Sequence, residues 1–390
     1  MSDENIKTTN EIEKRKKKRH AKKNRVSLII VLLLVVSVSC TLYINMDNPL
    51  LSGIFSNLGM SKTAGENIEF EKTENYAISA FDDDVIVARN TIVSCVNDKL
   101  NAKWNVEQKN PMPVIKTDGK YVLTYSFDVA DAVLTKDGKS QSIATQTPVI
   151  GGSVNKNGYF AIVTREKGYK ACVTVYSPKC EVIYKWHSAD NYIIDVDISY
   201  DNKCLAVATA DFSTDVASGG LMFFNFSQEK PYAGQILENN IVMDIEFISK
   251  NSLLAVGDIA SEVFGGNGEK KKEFLYGDKK LTNYCINADG EVVLALAEGD
   301  SVLTDSQIVV LNKDLKPRGE YTAKGAVTSL DYVSDRVLLS ADRNLILLNS
   351  RGKELNSINL NKDIKKAVLF GNKEDALVAS GGIAEVVKID

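Results

Sequence analysis

Histidine is almost missing from this chain. Of its 390 residues two are histidine, and only His187 lies beyond the first forty-five. Serine or cysteine catalysis assisted by imidazole, and a histidine-rich zinc site, therefore lack their essential side chain. Cysteine is sparse as well: six residues are too few for a disulfide-stapled scaffold, and no Cys-x-x-Cys pair occurs. Long apolar runs are confined to one place, which excludes a multi-span membrane protein. What is present, 44% hydrophobic and 25% charged residues, matches an ordinary globular chain and excludes a wholly disordered or collagen-like one.

The net charge of -4 hides a division. Residues 1 to 45 hold ten Lys/Arg and four Asp/Glu, leaving 37 against 47 for the rest, so a basic tail precedes an acidic body. The tail (residues 1–25) concentrates its charge in Lys14, Arg15, Lys16, Lys17, Lys18, Arg19, Lys22, Lys23 and Arg25. Such a cluster is expected to lie on anionic headgroups, and no nucleic-acid partner is expected of it. The uncharged stretch Val26 to Ile44 follows, with Leu28 to Val36 free of polar side chains. At about 1.5 Å per residue it reaches about 28 Å, so residues 26–45 are expected to form one transmembrane helix. Only Lys62 is basic in the next twenty or so residues. The positive-inside rule then puts the N-terminus in the cytoplasm and the C-terminal domain outside a cell membrane. A cleaved signal fits less well, since the apolar region is long and no Ala-x-Ala site follows. A lipoprotein signal ending at Cys40 is disfavoured by Ser37 and the long tail. Residues 46–66, broken by Pro49, Gly53, Gly59 and Gly65, read as a linker.

From 67 to 390 the patterning is all-β: apolar runs of four to six residues divided by Asp, Asn, Gly and Lys. A unit of about forty residues recurs. Its second strand is read eight times, at Val85–Ala88, Tyr121–Thr124, Tyr159–Val163, Cys204–Ala208, Leu253–Gly257, Val292–Leu296, Val337–Ser340 and Ala376–Ala379. Third strands such as Val173–Tyr176, Ile308–Leu311 and Leu345–Leu348 end in polar hairpin turns. Runs apolar on both faces suit sheets packed between two neighbours, the arrangement of a β-propeller. The last unit supplies three strands, and Asn67 to Glu71 offers the missing outer one, closing the ring without a free edge. Eight blades are expected. Seven stay open, because the unit from Ile241 to Tyr276 is irregular.

The turn Asn287-Ala288-Asp289-Gly290 before an apolar strand, and strand-turns like Leu311-Asn312-Lys313-Asp314, resemble those of WD40-like and quinoprotein-like propellers. With the lysine-rich tail and single span, the chain resembles the membrane-anchored propeller proteins of Firmicutes in domain-of-unknown-function family 5711. The resemblance implies a fold and a location and carries no catalytic residues. It departs from WD40 proper, since Gly-His and Trp-Asp dipeptides are missing. A quinoprotein would dock its blades through recurrent tryptophans, whereas only Trp104 and Trp186 occur, both in outer strands. No cofactor is expected.

Carboxylates are the remaining chemistry. Asp195 and Asp197 alternate along one strand, share a face, and can line the central channel of a propeller. A calcium loop is a poor fit, since Ser199 takes the third ligand position and no glycine follows; no metal is expected. Cys172 and Cys180 flank a hairpin, but a turn centred near Pro178 sets Cys172 opposite about residue 183, which disfavours a disulfide. The expected function is a non-catalytic scaffold binding an envelope protein or a cell-wall polymer through loops at Asp211–Gly219, Ala260–Lys270 and Glu298–Ser306. The alternatives are a carboxylate-dependent glycan hydrolase or lyase and an envelope sensor signalling through the basic tail.

Overall fold

The computed structural model describes residues 67 to 389, apart from Lys72, Thr214, Val216 and residues 300–303. The basic cluster from Lys14 to Arg25, the apolar stretch and the linker lie outside the described residues. Among those described, no helix is long and apolar enough to cross a membrane.

Eight four-stranded antiparallel sheets form an eight-bladed β-propeller. Blade 3 shows the plan, running from the axis outward as Val149–Val154, Phe160–Thr164, Ala171–Tyr176 and Val182–Ser188. The other blades occupy residues 77–107, 113–144, 192–237, 242–275, 279–323, 327–359 and 366–388. All eight apolar runs read from the sequence are second strands. Phe160–Thr164 and Ala171–Tyr176 are buried along their whole length, while a fourth strand such as Glu354–Asn359 is exposed at alternate residues. The pattern follows from blade geometry: middle strands have a neighbouring sheet on each side, and outermost strands face water. Accordingly the core is a ring of eight clusters, each shared by two consecutive blades.

The ring closes as the sequence implies. Asn67–Glu69 is the outermost strand of the last blade, pairing antiparallel with Ile383–Lys388 and setting Ile68 opposite Ala384. Just beyond it, the Phe70 N–H donates to Gly382 O at 2.7 Å. The Phe70 ring is buried and stacks on Tyr76 at 4.0 Å.

Residues 242–275 form a full blade, so the count is eight. The expected loop Ala260–Lys270 is mostly the fully buried strand Ala260–Gly265 followed by a tight turn. Ser261 and Glu262 inside it disguise the strand. The Glu262 carboxylate, 3% exposed, is satisfied by Lys270 Nζ at 3.0 Å and by Asn240 Nδ2 at 3.0 Å. Two bulges in Val242–Ser249 add to the irregular spacing.

Asparagine organises the turns. Asn312 Oδ1 accepts from the N–H groups of Asp314 and Lys316, and Asn349 Oδ1 from those of Arg351 and Lys353. Asn155 does the same for Asn157 and Tyr159, and its Nδ2 donates across to Ser199 O at 3.1 Å on the next blade. Asn155 is buried, so truncation strands several backbone partners. Asn155→Ala is expected to cost about 2 kcal/mol, read as a lowered denaturant midpoint with an unchanged slope.

Candidate functional site

Chain direction divides the propeller into two faces. First-to-second and third-to-fourth connections emerge on one, the turn face. Second-to-third loops and the crossings between blades emerge on the other, the loop face.

The channel mouth on the turn face is a cavity of about 540 Å³ lined by the ends of innermost strands. Asp195 and Asp197, both on Tyr192–Ile198, lie in this lining. Five further carboxylates join them, Asp82, Asp118, Asp244, Glu246 and Asp331, with Lys116 among them. Lys116 Nζ stands 3.9 Å from Asp195 Oδ1. The sequence holds a signal for most of the added residues: Lys116-x-Asp118, Asp195-x-Asp197, Asp244-x-Glu246 and Ser329-x-Asp331 place polar pairs two apart on the innermost strands of blades 2, 4, 5 and 7. Residues two apart in a strand share a face.

These carboxylates brace the ring. Innermost strands of adjacent blades belong to different sheets and share no ladder, so their backbone donors need other partners. Asp195 Oδ2 accepts from Ile245 N–H at 3.0 Å, and Asp197 Oδ2 from Phe247 N–H at 2.7 Å. Asp331 Oδ2 plays the same part toward Leu369 N–H at 2.7 Å, and Ser329 Oγ toward Ala367 N–H at 2.9 Å.

Crowding inside the channel sets their protonation. Burial pushes Asp197 up to about 7 against the opposing N–H bonds of Phe247 and Ile198. Asp195 is held well above the usual carboxylate range, chiefly by burial; Lys116 opposes this, while the Asp244 carboxyl hydrogen-bonded beside it adds to it. Glu246 rises through burial and its acidic neighbours Asp197 and Asp244. The Asp195 carboxylate in turn raises Lys116, which stays charged. The mouth thus gathers acids that burial makes harder to ionise around one ammonium.

The loop face is different in character. Met112, Phe127, Tyr169, Phe212 and Ile259 stand exposed on its connections, and Tyr192 and Met243 at the start of innermost strands. All belong to the arc from the crossing into blade 2 round to blade 5. Contacts link part of the arc: Lys170 Nζ sits 4.5 Å from the Tyr192 ring centre, and Tyr192 meets Phe212 edge-on at 5.8 Å. The remaining arc carries exposed ion pairs, Lys324 with Asp305 at 2.7 Å and Arg343 with Asp363 at 3.0 Å. The expected loops Asp211–Gly219 and Glu298–Ser306 are both second-to-third connections and emerge on this same face.

One sequence expectation is displaced. Cys172 lies opposite His187 rather than residue 183. The turn spans Ser177 to Glu181, with Cys180 at φ 62, and a bulge between Val175 and Tyr176 in the pairing shifts the register again. All five cysteines among the described residues are free.

A model of a family described as a family of unknown function (DUF5711) matches residues 60–389. In fold the chain is similar to the C-terminal WD40 domain of Sif2, with a TM-score of 0.58 and 13% identity over 83% of this chain and 98% of that one. It is likewise similar to BamB from Moraxella catarrhalis, with a TM-score of 0.52 and 13% identity over 83% of this chain and 96% of that one. No curated protein matches the chain in sequence.

Proposed function

We propose that this chain, which belongs to the DUF5711 family, is a non-catalytic binding scaffold whose loop face engages a protein partner. One observation carries the reading: among the described residues the exposed large apolar side chains of that face all stand on one arc, blades 2 to 5, which also holds the exposed pair Arg165–Asp128. Exposed apolar clusters of this kind mark association surfaces, and the mixture of Met, Ile, Phe and Tyr suits a protein better than a glycan. In the same reading the basic tail and the stretch Val26–Ile44 anchor the propeller to a cell membrane as a single span. The propeller then stands outside, where its partner is an envelope protein. Charge asymmetry about the apolar stretch supports that orientation.

Crosslinking in intact cells tests the scaffold. The full chain is expected to capture one specific envelope protein. Phe212→Asp with Ile259→Asp should cut that capture about 30-fold, the effect of removing a hot spot of about 2 kcal/mol. Ile236→Asp, on an outermost strand, should leave it unchanged. Capture indifferent to the loop-face pair, or crosslinks to cell-wall polymer alone, overturns the reading.

A second reading, a carboxylate-dependent glycan hydrolase or lyase, draws on Asp197, whose titration near 7 suits a general acid. Against it, Asp195 and Asp197 are both committed to backbone N–H groups. Asp195 and Asp244 are within hydrogen-bond reach of each other, closer than the about 5 Å that paired glycosidase carboxyls keep. Glycan cleavage abolished by Asp197→Asn would restore the enzymatic reading.

A further inference from the structure

The register that sets Cys172 opposite His187 has a chemical consequence. On the blade 3 side of the loop face, the second-to-third connection turns back at Glu166, where the Tyr169 N–H donates to Glu166 O at 3.2 Å. This brings the Glu166 carboxylate over the end of the adjoining strands. One ligand atom each from Glu166, Cys172 and His187 then lies within 4.8 Å of the others. We propose that these three side chains bind a zinc ion.

The donor set fits. A thiolate, an imidazole and a carboxylate around one point suit zinc, whereas calcium and magnesium prefer all-oxygen shells. Ligand atoms around a tetrahedral zinc lie about 3.3–3.7 Å apart, given bonds of 2.0–2.3 Å. The observed atoms, within 4.8 Å of one another, need to close by about 1 Å to reach that range. Two ligands sit directly across an antiparallel pair, on strands already fixed by the blade, so little ordering is needed on binding. The Tyr169 ring packs on the His187 imidazole at 4.7 Å and steadies its plane. Cys172 is fully buried, while Glu166 and His187 are half-buried and give the ion a path from solvent. Burial first of all keeps the Cys172 thiol protonated without metal. Loading therefore forms the zinc–sulfur bond and releases one proton to solvent. Three protein ligands leave the fourth position to water.

The test uses the full chain in detergent, dialysed against zinc and assayed by metal analysis, with cobalt(II) as the spectroscopic probe. One zinc per chain is expected, and cobalt should give a thiolate charge-transfer band with tetrahedral d–d intensity. Cys172→Ser should abolish that band. His187→Gln should weaken zinc binding at least about 100-fold and Glu166→Gln about 10-fold, whereas Cys204→Ser should retain both signals. Because Cys172 is buried, the half-buried His187→Gln variant carries the test should Cys172→Ser fail to fold, and circular dichroism verifies its β structure. Substoichiometric zinc in the parent chain, or zinc retained unchanged by His187→Gln, overturns the proposal. Partner capture by the Phe212→Asp and Ile259→Asp chain is a separate readout, so either inference can fail alone.

Discussion

Removing residues 67–71 from the full chain is expected to cost more than about 5 kcal/mol and to make the propeller associate beyond the parent's own oligomeric state. Phe70 alone accounts for much of this, because truncating a buried phenylalanine to alanine costs about 3–5 kcal/mol. The deletion also removes the ladder between Asn67–Glu69 and Ile383–Lys388 and the bond from Phe70 N–H to Gly382. Ile383–Lys388 then becomes an open edge, a template for pairing with another chain. Domains are stable by only about 5–15 kcal/mol, so the deleted chain should melt far below the parent and elute ahead of it. Phe70→Ala, which keeps the edge covered, should melt early yet elute at the parent's volume. An unchanged melting temperature after the deletion would mean that the ring does not depend on its closing strand.

The second large effect is a stability that falls as pH rises from about 4 to about 7, the reverse of ordinary acid denaturation. Asp197 is held up to about 7 in the folded chain, against an ordinary 3.8. Between those values the folded state keeps a proton that the unfolded state has lost. The stabilisation is full below about pH 4, shrinks as pH climbs, and is gone above about 7. For Asp197 alone the difference is on the order of 4 kcal/mol, and burial shifts Asp195, Glu246 and Asp331 the same way. Surface acids oppose this only at lower pH: Lys373 beside Asp335 holds that carboxyl below its usual range, so its contribution disappears as pH falls through that lowered value. Thermal unfolding should therefore be higher near about pH 5 than near about pH 8. Asp197→Asn, which still accepts from Phe247 N–H but cannot ionise, should flatten much of that difference. Equal melting temperatures at the two pH values would show that channel water keeps these acids ordinary.

Much of this architecture is legible in the sequence because a propeller asks little of each segment. An apolar run between polar turns, such as Phe160–Thr164, declares itself as a middle strand. The leftover strand at Asn67 declares closure by arithmetic alone. Legibility ends where a strand buries charge or where a turn adds a residue. Glu262 and its partner Lys270 make a buried strand look like a loop. A turn spanning Ser177–Glu181, together with one bulge beside it, moves the partner of Cys172 from residue 183 to His187 and hides the cluster there. The channel was half visible: Asp195 and Asp197 stand out on their own, but Lys116, Asp244 and Asp331 come into view only when innermost strands are laid over one another. The apolar arc was visible only through its loops. Exposure of Tyr192 and Met243 depends on the bulges near the start of their strands, which no local pattern specifies.

Pairing Ile68 with Ala384 also fixes the order of assembly. A chain made from its N-terminus onward carries its closing strand from the start, with no place to dock until the final residues have been synthesised. Each blade can form locally as it emerges, yet the toroid stays an open arc until the last hairpin is complete. A nascent chain halted after blade 7 would hold two unsatisfied ends at once, and would need a chaperone for as long as the pause lasted.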